Sequence, residues 1–125
     1  MKFLLIAIFL LCYSKNIAFA QSNDSINKLI CKEWKIDYYI LDSEKILPDS
    51  KQKNNCMVFY PNGRMSIKED GNIKYGKWEL IKERKRLMIK YEDNTEDLFI
   101  LLELGFGKLV IENISQSEKL TIYLL

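Results

Sequence analysis

Histidine is absent from the 125 residues, which removes the commonest general base and the commonest transition-metal ligand. Gly-rich phosphate loops, a nucleophile elbow and cysteines at metal spacing are missing as well. The chain therefore reads as a non-enzyme with no cofactor, no metal site and no catalytic residues. Its length leaves no room for a second domain. The longest apolar run, Phe3 to Tyr13, is about a dozen residues, too short for a bilayer core that needs roughly 20.

That run has the layout of a secretory signal. Lys2 supplies a short positive start, and Ala18-Phe19-Ala20 places small residues where a signal peptidase reads. Cleavage after Ala20 divides the chain into a signal peptide, 1–20, and a domain, 21–125, with no stable membrane anchor. A periplasmic or secreted bacterial protein is expected. Of 19 Lys+Arg and 17 Asp+Glu, only Lys2 and Lys15 leave with the signal, so the mature net charge is zero. The basic excess that marks nucleic acid or an anionic membrane as partner is absent.

Cysteine is scarce too. Cys12 leaves with the signal, and Cys31 and Cys56 remain in a compartment where disulfides persist. With Cys31 just before the first expected strand and Cys56 opening the second, an antiparallel pairing puts them at opposite ends, roughly 25–30 Å apart at about 3.3 Å per residue. A bridge needs Cα atoms within about 7 Å, so two free thiols are expected rather than a disulfide.

From Trp34 onward apolar residues recur with period two, and turn residues recur every eight to twelve positions, an all-β pattern. Eight strands are predicted: Glu33 to Leu41, Cys56 to Tyr60, Arg64 to Lys68, Lys74 to Ile81, Arg86 to Tyr91, Glu96 to Leu104, Lys108 to Ile114 and Lys119 to Leu125. On the first, Trp34, Ile36, Tyr38 and Ile40 share one face and Lys35, Asp37 and Tyr39 the other. Asp24 or Ser25 caps a short N-terminal helix. An antiparallel meander of this size removes its edges by closing into an up-and-down barrel; a sandwich of two small sheets is the alternative. Leu98 to Leu102 is apolar on both faces, so the helix or, less simply, a second subunit should cover its outside. A monomer is expected.

Two charged clusters have plain readings. Glu92, Asp93, Glu96 and Asp97 carry oxygen ligands for a hard cation but match no calcium loop, and Lys82, Arg84, Lys85 and Arg86 are interrupted by Glu83. Both read as solvated turns. The inward aromatic set is more informative. Tyr38, Phe59 and Trp78, with Met65 and Leu80 beside them, are candidate lining for a small apolar ligand, and Trp34 is structural core. An eight-stranded barrel is just wide enough either to fill with side chains or to hold one such molecule.

Cys31-Lys32-Glu33-Trp34, opening the first strand after a short helix, resembles the lipocalin-like domains of exported bacterial proteins, in which a Gly-x-Trp motif begins the barrel. Lys32 stands where the first glycine belongs. Met57-Val58-Phe59-Tyr60-Pro61-Asn62-Gly63-Arg64 is similar to that family's second hairpin, and Tyr75-Gly76-Lys77-Trp78-Glu79-Leu80 to its mid-barrel strand. The resemblance implies a lipocalin-like eight-stranded barrel and, as in some members, a small apolar ligand. The alternative is a filled barrel acting through its surface as an interaction or inhibitor protein of the envelope.

Overall fold

The computed structural model describes residues 25–81, 83 and 85–125; the expected signal peptide lies outside them, as do Lys82 and Arg84 of the basic turn. After a helix over 25–30 the chain forms nine strands: β1 (Glu33–Leu41), β2 (Glu44–Ile46), β3 (Cys56–Phe59), β4 (Arg64–Glu69), β5 (Asn72–Ile81), β6 (Arg86–Tyr91), β7 (Glu96–Leu104), β8 (Leu109–Asn113) and β9 (Leu120–Leu124). Every pairing is antiparallel. The order runs β1-β3-β4-β5-β6-β7-β8-β9, and β9 pairs back onto β1, which closes an eight-stranded barrel and leaves β2 as an outlying strand on β1.

The turns explain why the meander closes where it does. Asp70 and Gly71 both have positive φ, 50° and 85°, which the tight turn between antiparallel strands requires. Asp42 and Ser43 adopt the same conformation, at 47° and 71°. They create the β1–β2 hairpin within what the sequence presents as a polar loop. Neither is glycine, so this turn carries no strong signature.

A bulge between Ile36 and Tyr38 changes the strand's address. Before it Trp34 and Ile36 point into the barrel; after it Tyr39, opposite the core residue Ile122, does so instead. One extra residue on one strand reverses the facing of everything beyond it. Tyr38 and Tyr39 therefore stand on the faces opposite to those expected from strict alternation.

The lower end of the barrel carries the start of β1, the β3–β4, β5–β6 and β7–β8 connections, and the end of β9. Trp34, Met57, Phe59, Met65, Leu87, Ile89, Leu109, Ile111 and Leu124 are all fully buried there. Burying one such side chain is worth roughly 1.5–3 kcal/mol. Ile30 inserts into this core, and its carbonyl accepts the Trp34 indole N–H at 2.8 Å. The helix thus seals the floor, leaving Leu102 on β7 half exposed rather than covering the outside of that strand.

Cys31 and Cys56 are free thiols, and burial raises both pKa values. The register places Cys56 opposite Lys35, four residues after Cys31. The two thus lie nearer one another than a full-length pairing of β1 with β3 would put them, because only the first three residues of β1 pair with β3.

Candidate functional site at the barrel mouth

The expected lining residues divide. Phe59 and Met65 are sealed within the lower core, and Trp78 and Leu80 pack against them. Phe59 meets Trp78 edge to face at 5.7 Å, and the Trp78 indole N–H donates to the Tyr60 carbonyl at 2.9 Å. These four come together on the inner side, Phe59 and Met65 buried and Trp78 and Leu80 only partly so. Tyr38 does not join them. The bulge turns it outward, where it stacks on Tyr123 at 4.3 Å with the Lys45 ammonium 4.3 Å above its ring.

Toward the other end four core residues are slightly more open to solvent. Ile36, Ile67, Tyr91 and Ile122 are 9%, 8%, 8% and 8% exposed, against 0–1% for the plug below them. They form a ring one layer up, and above it the inward-facing residues turn polar. Strand alternation sets this: Leu87, Ile89 and Tyr91 share the inner face of β6, and Asp97, Phe99 and Leu101 that of β7.

The polar residues are mutually bonded. The Tyr91 hydroxyl donates to Asp97 Oδ2 at 2.8 Å, and Asn113 Nδ2 donates to Asp97 Oδ1 at 3.3 Å. Ser115 Oγ lies 3.2 Å from Asp97 Oδ1 and 2.6 Å from Asn113 Oδ1, and its one proton serves either. Burial, reinforced by the hydrogen bond to Asp97 and by that residue's charge, pushes the Tyr91 phenol far above the ordinary tyrosine range, so it remains a donor at any physiological pH. Lys74 places its ammonium 5.1 Å from the Tyr91 ring centroid. Across the mouth, the buried Asn55 accepts the Asp70 backbone N–H at 2.9 Å through Oδ1. Tyr39 beside it has a raised pKa, from burial first and partly offset by its hydrogen bond with Asn55. The arrangement sets fixed donors and acceptors beside apolar side chains.

The acidic cluster is dispersed by this geometry. Asp97 turns inward to Tyr91, while Asp93 caps its own turn by accepting the Thr95 backbone N–H at 3.0 Å. The Thr95 hydroxyl, which also donates to Asp93, and then that backbone bond lower the Asp93 pKa. Among the described residues, no three His, Cys, Asp or Glu side chains are placed to hold a metal ion. Tyr91 and Asn113 are not among the residues singled out from the sequence, and Asp97 appears there only as part of a solvated acidic turn. The signal was present in the two-residue spacing from Leu87 and Ile89 to Tyr91, and from Phe99 back to Asp97.

No family profile matches the chain, and no curated protein is significantly similar in sequence. Among solved structures, a lipocalin-like protein from Bacteroides uniformis superposes with a TM-score of 0.57 at 16% identity, covering 75% of this chain and 96% of that one. With a closed eight-stranded antiparallel meander, a helix at its floor and this counterpart, the chain has the bacterial lipocalin-like fold.

Proposed function

We propose that the protein is an exported, monomeric binding protein that takes a small, largely apolar molecule at the upper mouth of its barrel. The observation that carries this reading is the step from a sealed plug to a ring of Ile36, Ile67, Tyr91 and Ile122 that solvent touches, capped by the hydrogen-bonded set Tyr91, Asp97 and Asn113. Small-molecule sites combine an apolar base with a few fixed polar groups that orient the ligand. Here the apolar part of the molecule rests on the isoleucines and its polar end faces Tyr39 and Asp97. Phe59, Met65, Trp78 and Leu80 act as the wall beneath it. Cleavage of the signal releases the domain to the periplasm or the medium.

A second reading, a filled barrel working through its surface, draws support from Phe106, 90% exposed on the β7–β8 loop. Native mass spectrometry of residues 21–125 purified from the host envelope separates the two. A reproducible excess of a few hundred daltons that denaturation removes supports the carried ligand. A bare polypeptide mass in every preparation favours the surface.

A further inference from the structure

The outer face of β4, β5 and β6 holds a feature that net charge conceals. Arg64 stands opposite Lys77, and Lys77 opposite Lys90, so three cations form one row across three adjacent strands. Directly opposed residues have Cβ atoms about 4.5–5.5 Å apart, and like charges there oppose folding. Carboxylates that would offset the cost are nearby but unused. Glu96 pairs with Lys90 in the strand register, and Glu79 lies along the same face. Yet the ion pairs among the described residues are Lys108 with Glu103 and Lys119 with Glu112, and none involves the row. None of the three cations makes a side-chain hydrogen bond among the described residues either.

The row lies in a depression. Two open grooves of about 620 and about 740 Å³ share Asn62, Arg64, Lys77 and Lys90, and so form one trough. Flat aromatic surface borders it: Tyr75, 54% exposed, and Tyr60, 45% exposed, line one part, and the edge of Trp78 lines the other. Aligned cations seek a ligand with several anionic groups at close intervals. Exposed rings beside them seek flat, weakly polar faces between those charges.

We propose that this trough binds an acidic oligosaccharide, with Arg64, Lys77 and Lys90 pairing its carboxylates or sulfates and Tyr75 and Tyr60 stacking on sugar faces. A sugar chain carrying one acid per residue presents both features in alternation, which a neutral glycan or a bare polyanion does not. Arg64, Lys77 and Lys90 face outward, and the trough borders the barrel mouth where Met65, Gly76 and Tyr91 also line it.

The test uses residues 21–125 and three probes: hexagalacturonate, the same hexamer fully methyl-esterified, and polyphosphate, with binding followed by tryptophan emission and calorimetry. The acidic hexamer binds, the ester does not, and polyphosphate binds more weakly than the hexamer. The triple variant Arg64→Gln, Lys77→Gln, Lys90→Gln loses roughly tenfold or more in affinity, as three partly exposed ion pairs allow. Tyr75→Ala weakens the hexamer but not polyphosphate. The triple variant melts no lower than wild type, because repulsion is relieved. The proposal is overturned if the hexamer does not bind, if the triple variant binds it unchanged, or if polyphosphate binds as tightly with Tyr75 irrelevant. A lowered melting temperature of the triple variant also overturns it, since the row would then be holding the sheet together.

Discussion

The two ends of this barrel are made of the same strands and behave as different materials. The lower half is closed by the largest apolar side chains and by Ile30 from the helix. The upper half carries isoleucines, then tyrosine, aspartate and asparagine joined by hydrogen bonds. In so short a mature chain, burial of large side chains must supply most of the stability. Concentrating them at one end frees the other to stay partly open.

That division can be broken most forcefully at the floor. Trp34→Ala removes a fully buried ring and the indole bond to Ile30, and should cost about 3–5 kcal/mol in chemical denaturation, the range for large aromatic truncations. Gly76→Ala comes next. An added Cβ would sit 2.5 Å from the Lys90 carbonyl oxygen and 3.1 Å from the Tyr91 Cα, both backbone atoms that cannot swing aside, so a loss of about 1–3 kcal/mol is expected.

The upper half should respond less, and with a pH signature. Tyr91→Phe deletes a hydrogen bond to a carboxylate, which is worth about 1.5 kcal/mol. Because the folded state raises the Tyr91 pKa, folded and unfolded chains hold the same proton below about pH 10, the ordinary tyrosine value. Above it the unfolded chain releases its proton while the folded chain retains it, so stability falls as pH rises. Tyr91→Phe should flatten that alkaline decline. The smallest effect belongs outside the barrel: Tyr38→Ala loses only the exposed stack on Tyr123, so its stability should fall less than that of Tyr91→Phe and any dye uptake at the mouth should be unchanged. Weakened binding in that variant would return Tyr38 to the interior.

The same contrast governs what could be read from the sequence. The strands of the lower half announce themselves by alternation, and Phe59, Met65 and Trp78 fall on the expected inner face. Periodicity reports which way a side chain points, not whether space remains beside it. Tyr38 was misplaced by a single extra residue between Ile36 and Tyr38, an irregularity without glycine or proline to mark it. The β1–β2 hairpin was hidden because Asp42 and Ser43 take positive φ without a glycine. Asp97 looked like one member of a solvated acidic turn, and only the pairing of β6 with β7 turns it toward Tyr91. The cation row was invisible for a related reason. Arg64, Lys77 and Lys90 are spread over 27 positions of a chain with balanced charge, and register alone aligns them.

The central claim, a sealed floor beneath an open mouth, is most directly tested by titrating Nile red into wild-type protein and into Leu120→Trp. Leu120 is half-buried at the mouth, packed against the upper core and opposite Leu41 and Asn113, so the larger ring fills the mouth without straining the plug. Saturable enhancement of the dye is expected in wild type, with its loss in Leu120→Trp at unchanged melting temperature. Equal binding by both proteins, or none by wild type, would contradict it.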